Sequence, residues 1–146
     1  MFLGNVTGGG RLNLRQSCST GSTSLIQIPE GDAVQVSIVD GNTEWFAVSY
    51  NGYNGFALAR YIAITNDGGT VTVTTASGSL NVRKTPASGA SVIYRAEQNS
   101  TLRLIDCTSN STWYRVSSAD GTGCAMKQFL TITSVTDPFL SICAKS

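Results

Sequence analysis

Along much of this chain apolar and polar residues alternate with a period of two, the spacing of a strand that buries one face. Ala33-Val34-Gln35-Val36-Ser37-Ile38, Val71-Thr72-Val73-Thr74 and Thr101-Leu102-Arg103-Leu104-Ile105 carry this pattern with the β-branched enrichment of half-buried strands. No window holds apolar residues at i, i+3, i+4 and i+7 for more than a turn or two, and Lys and Glu occur three times each, so helix is not expected. Asp40-Gly41-Asn42 follows one strand. Asn51-Gly52 between Trp45–Tyr50 and Tyr53–Leu58 predicts a two-residue hairpin, and Asp120-Gly121 is assigned the same work further along. Short strands joined by such turns hide their edges by curling into a small barrel or a tight two-sheet sandwich, and a small barrel is the expectation.

The chain is also a duplication. Sliding it by 68 positions places Leu12-Asn13-Leu14-Arg15 on Leu80-Asn81-Val82-Arg83, Trp45-Phe46 on Trp113-Tyr114, and Gly55 with Ala57 on Gly123 with Ala125. The register continues without a gap through Tyr61-Ile62-Ala63-Ile64 on Phe129-Leu130-Thr131-Ile132. Thr65-Asn66-Asp67-Gly68-Gly69 is a polar, turn-forming stretch suited to a boundary. The expected organisation is a first module over residues 1–66, a second over 70–134, and a tail over 135–146 in which Phe139-Leu140-Ser141-Ile142-Cys143 reads as one more strand.

Composition removes several function classes. Of 146 residues 13% are charged and 41% apolar, with a formal charge of +1 and no basic stripe, so nucleic acid is not an expected partner. No apolar run approaches the roughly 18 residues needed to cross a bilayer, and the first residues carry no secretory signal, which leaves any export route open. Histidine is absent, which removes Ser-His-Asp and Cys-His catalysis and the commonest metal ligand. Cys18, Cys107, Cys124 and Cys143 lack the close spacing of a metal knuckle; they are read as structural, with their pairing open. Glu30 and Asp32 flank a turn glycine, and the second module has Gln98 and Ser100 at those places, so paired-carboxylate catalysis is not expected. The reading contains no catalytic residue, metal or cofactor.

Leu80-Asn81-Val82-Arg83, Trp113-Tyr114-Arg115-Val116 and Gly123-Cys124-Ala125, with their counterparts Leu12-Asn13-Leu14-Arg15, Trp45-Phe46-Ala47-Val48 and Gly55-Phe56-Ala57, form an ordered set that resembles the bacterial SH3 domain family. The resemblance covers nearly the whole chain except the last dozen residues. It implies an all-β fold of two tandem small SH3-like barrels, each of five to six strands. It also implies a role in holding a separate catalytic domain on peptidoglycan. The family's frequent Gly-Pro after the Arg is replaced by Ser17-Cys18-Ser19 and Thr85-Pro86-Ala87.

A ligand site on so small a barrel is built from strand ends and loops, where aromatic side chains give rigid contact area. Trp45, Tyr50, Tyr53, Tyr61 and Trp113 are therefore the candidate ligand-binding residues. Alternation sets Trp45, Ala47 and Ser49 on one face of their strand and Phe46, Val48 and Tyr50 on the other. Tyr50 and Tyr53 align with Ser118 and Gly121, so the aromatic hairpin is not duplicated, and that asymmetry favours a functional reading of the pair. Arg15 and Arg83 are expected to lie over the barrel and bond loop carbonyls. The expected function is non-catalytic binding to peptidoglycan through peptide stems or cross-bridges, at an extracellular or wall-associated location. The alternative is a structural spacer or a module that docks a partner or a catalytic domain of a longer parent protein.

Overall fold

The computed structural model of the chain describes residues 2–39, 42, 44–65, 69–106 and 112–135; the expected tail strand lies outside them. The first half forms β1 (Phe2–Val6), β2 (Arg11–Arg15), β3 (Ser24–Pro29), β4 (Ala33–Ile38), β5 (Trp45–Tyr50), β6 (Tyr53–Leu58) and β7 (Ile62–Ile64). The second forms β8 (Gly69–Val73), β9 (Leu80–Arg83), β10 (Val92–Ala96), β11 (Thr101–Asp106), β12 (Trp113–Ser118), β13 (Gly121–Met126) and β14 (Leu130–Val135). Single 3₁₀ turns at Ala59–Tyr61 and Lys127–Phe129 precede the last strand of each half.

Each half is one antiparallel sheet of seven strands, ordered β3-β2-β6-β5-β4-β1-β7 and β10-β9-β13-β12-β11-β8-β14. Seven exceeds the five to six implied by the resemblance. Both sheets roll up: buried side chains from all seven strands of the first meet in one cluster around Leu14, Ile28, Val36, Phe46 and Ile62. Val71, Val82, Leu104, Val116 and Ala125 centre the second. Burial of such apolar faces is the main stabilising contribution of modules this small.

Register repeats as well as order. Val36 opposes Val48 and Leu104 opposes Val116 at the 68-residue offset, whereas the first strands correspond at 67, since Asn5 opposes Ala33 and Thr72 opposes Thr101. The second half therefore carries one more residue between its first two strands. The Asn51-Gly52 turn has φ of 49° and 82°, the left-handed pair that such a hairpin requires. In the second half the expectation needs correcting: the turn is Ala119-Asp120, and Gly121, at φ 121°, opens β13 opposite Ser118.

The two halves pack on one another. β7 ends its sheet, and side chains of the second half satisfy its outer backbone groups: Thr122 Oγ1 donates to Ile62 O (2.7 Å) and Ile64 N donates to Ser117 Oγ (2.9 Å). Thr7 Oγ1 donates to Ala119 O at 3.0 Å. Leu104 belongs to the second core, while its neighbour Ile105, turned the other way at a register shift in β11, is buried in the first. The buried Arg115 lays its guanidinium over the Phe46 ring at 4.4 Å and donates to Asn42 O and Trp45 O, each at 3.3 Å. Burial lowers its pKa to about 10, still cationic at neutral pH, with the Asp106 charge partly opposing the shift.

Candidate functional site: one groove built twice

The outward face of β2 presents Arg11, Asn13 and Arg15, because Leu12 and Leu14 take the buried positions. Beside it stand Trp45 at the start of β5, Leu58 at the end of β6 and Tyr61 from the 3₁₀ turn, and together they line a cleft of about 290 Å³. The second half has the same cleft, about 310 Å³, at matching positions: Asn81, Arg83, Trp113, Met126 and Phe129. Chain geometry repeats around it, since Thr7 N donates to Tyr61 O and Thr74 N to Phe129 O, both at 2.8 Å.

One wall is fixed by an arginine. Arg15 Nη1 donates to Ser22 O and Arg83 Nη1 to Ala90 O, each at 2.8 Å, so both plug the loop that follows their strand. Those loops share their internal bonds too: Ser19 N donates to Ser17 O and Ala87 N to Thr85 O, both at 2.8 Å. Arginine thus shapes the groove by holding its loop.

Trp45 and Trp113 are 6% and 8% exposed, each packed into its groove with little more than an edge open. Tyr61 is half-buried; its ring lies against Gly8, where a Cβ would come within 2.8 Å of Cδ1, and the Arg60 guanidinium sits 4.8 Å from the ring centre. Three of the five candidate aromatics, Trp45, Tyr61 and Trp113, therefore belong to the two grooves. Tyr50 and Tyr53 do not. They oppose one another across the β5–β6 turn, where the Tyr50 hydroxyl donates to Asp32 Oδ2 and Tyr53 is 44% exposed. The bond to Asp32 holds the Tyr50 proton and raises its pKa, burial and the Asp32 charge add to this, and the Arg11 charge opposes it.

The missing counterpart of Tyr53 in the second half also has a physical reason. A Cβ on Gly121 would stand 2.0 Å from Arg60 O, so the position aligned with Tyr53 is pressed on the first module's backbone. The tyrosine's absence there is a requirement of packing, so for Tyr53 the asymmetry carries no inference to function. Sequence reading passed over Arg11, Asn13, Met126 and Phe129; the alternation of β2 and the repeat itself were the signals that could have found them.

Cys18 and Cys124 are free thiols, and Cys107 and Cys143 lie outside the described residues. Among the described residues no three of Cys, Asp and Glu converge as a metal-binding group, and no helix is long and apolar enough to cross a membrane.

The model of the bacterial SH3 domain matches residues 10–63 and 78–123, more than half of the chain, and the chain belongs to that family. No curated protein matches the sequence. Among solved structures it is similar to NlpC2 of Trichomonas vaginalis, with 13% identity, a TM-score of 0.40, and coverage of 90% of this chain and 48% of that one. NlpC1 of the same organism gives 12%, 0.40, 90% and 46%. An NlpC/P60 family protein of Bacillus cereus gives 15%, 0.35, 91% and 57%. The chain spans about half the length of these structures.

Proposed function

We propose that this chain is a non-catalytic cell-wall binding module that attaches to peptidoglycan, through peptide stems or cross-bridges, by its two grooves, and that it acts outside the cell or on the wall. The observation that carries the reading is the groove built twice at one set of positions, around Trp45 and around Trp113. Two sites on a firmly packed pair suit a polymer whose units repeat, because the second contact forms at high effective concentration.

Sedimentation with purified sacculi tests it. The intact chain is retained saturably, Tyr61→Ala weakens retention by about tenfold, and Tyr53→Ala on the hairpin leaves it unchanged, each variant being checked for its near-ultraviolet circular dichroism. Loss with Tyr53→Ala and not with Tyr61→Ala moves the site to the hairpin, and no retention by sacculi of several species sinks the reading.

One observation favours docking to a partner domain instead. The face of β5 and β6 bearing Ala47, Ser49, Asn54 and Phe56 lines an open cleft of about 310 Å³. Its counterpart in the second half, bearing Arg115, Ser117 and Thr122, is the face buried against the first.

A further inference from the structure

We propose that the two grooves differ in the charge of what they take: the first holds an anionic, oxygen-bearing group of the wall, a peptide carboxylate or a phosphodiester, and the second an uncharged one. This rests on the reading of both as wall-binding grooves. Three side chains carry the distinction. Arg11 lines the first groove and forms no ion pair among the described residues; Ser79 stands in its place in the second. Tyr61 is replaced there by Phe129. The Tyr61 hydroxyl accepts from Arg60 Nη2 at 2.6 Å, so its own proton remains to be donated, and the cationic neighbour strengthens that donor.

Asn13 completes the set. Its Oδ1 already accepts from Ser24 Oγ at 3.0 Å and Gln27 Nε2 at 3.2 Å, which leaves its amide hydrogens as the groups it can offer. In the second half Val92 and Arg95 stand where Ser24 and Gln27 do; valine has no hydrogen to donate, and Arg95, opposite Asn81 on the neighbouring strand, is not among the residues that line the groove. Guanidinium, phenol and carboxamide hydrogens thus border one groove with no carboxylate among its lining residues. Asp32, whose partner is the Tyr50 hydroxyl, lies outside that lining. A site rich in donors and without a carboxylate favours ligands that bring acceptor oxygens, and a planar fork favours carboxylate or phosphate geometry. The second groove has the uncharged Ser79 and Phe129 where the first has Arg11 and Tyr61, with Met126 in place of Leu58.

The test is a titration of the ¹⁵N-labelled full chain with acetyl-lysyl-D-alanyl-D-alanine, its C-terminal carboxamide, and glycerophosphoglycerol. The expected result is that the free carboxylate or the phosphodiester shifts the Trp45 indole signal about tenfold more tightly than the carboxamide, leaving that of Trp113 unmoved. The stronger arm identifies the source. Arg11→Ser with Tyr61→Phe gives the first groove the second groove's side chains at those two positions, and abolishes the preference. A carboxamide that binds as well, a preference that survives the double variant, an anion that shifts Trp113, or no probe that shifts Trp45 overturns the assignment. Sacculus sedimentation separates the two failures: retention indifferent to both the double variant and about 0.5 M salt refutes only the charge assignment, whereas absence of retention refutes wall binding.

Discussion

Gly121 of the second module touches the backbone of Arg60 in the first so closely that no side chain fits between them. A Cβ there would lie 2.0 Å from the carbonyl oxygen and 2.8 Å from the carbonyl carbon, at a φ of 121° that side chains rarely adopt. Gly121→Ala is expected to cost about 2–4 kcal/mol, or to part the modules, because main chain cannot yield as a flexible side chain can. Gly52 is the control, with φ 82° and open space around it, and its Ala variant should cost only about 1 kcal/mol. Urea unfolding of both, with small-angle scattering to detect parted modules, checks the difference; equal costs would mean that backbone strain alone, not the interface, demands glycine.

Arg115 and Phe46 are expected to be coupled across the same interface. The guanidinium stacks on the ring at 4.4 Å while donating to two carbonyl oxygens, and its Nε has no partner among the described residues. Arg115→Ala strips the cover from Phe46 and leaves those oxygens unpaired, at about 3 kcal/mol. Arg115→Lys keeps the charge without the planar fork and recovers less than half of it. A double-mutant cycle with Phe46→Leu should return about 1 kcal/mol of interaction energy. Additive losses would show that the stacking contributes nothing beyond coverage.

Alkaline stability depends on groups buried near this interface. Burial pushes the Cys124 thiol up to about 11 from 9.0 and the Tyr94 hydroxyl up to about 12 from 10.0. Each holds its proton longer folded than unfolded, so its contribution is complete below the ordinary value and is lost as pH rises through the raised one. Arg115 runs the other way: lowered from 12.5 to about 10, it favours unfolding least at high pH and opposes the loss there. The urea midpoint should therefore fall between about pH 9 and pH 10, where Cys124 acts before Arg115 begins to compensate. Cys124→Ala should flatten that fall, and parallel curves for the two proteins would remove Cys124 as its cause.

Strands bounded by strong turn chemistry were legible residue by residue: β5 and β6 run Trp45–Tyr50 and Tyr53–Leu58 around Asn51-Gly52, as the dipeptide implies. β1 was not, because Gly4 and Asn5 interrupt its apolar pattern. Gly4 is there for another strand's benefit, since a Cβ would meet Ala63 O and Ile62 Cγ2 at 2.9 Å. The turn at Ala119-Asp120 was misplaced by one residue because Gly121 looks like hairpin chemistry and serves the interface instead. Agreement between the repeats exposed the fold and three aromatics of the grooves. Their disagreements, Arg115 for Ala47, Thr122 for Asn54, Ser79 for Arg11, mark the interface and the difference between grooves, and acquire meaning only once packing shows what each side chain meets.

The hydroxyls that cap β7 give the last prediction. Ile64 N has Ser117 Oγ as its partner at 2.9 Å, and that oxygen lies 2.9 Å from Thr122 Oγ1, which donates to Ile62 O. Ser117→Ala removes the acceptor while leaving a buried N–H behind, a loss of about 1–2 kcal/mol at that site. Native-state hydrogen exchange should show the Ile64 amide opening about tenfold faster, with the amides of the second core little changed. Thr122→Val, which keeps the shape and removes the donor, should loosen the same edge without touching either groove. If Ile64 exchange is unmoved by Ser117→Ala, the amide is protected by burial at the interface and not by the Ser117 hydroxyl.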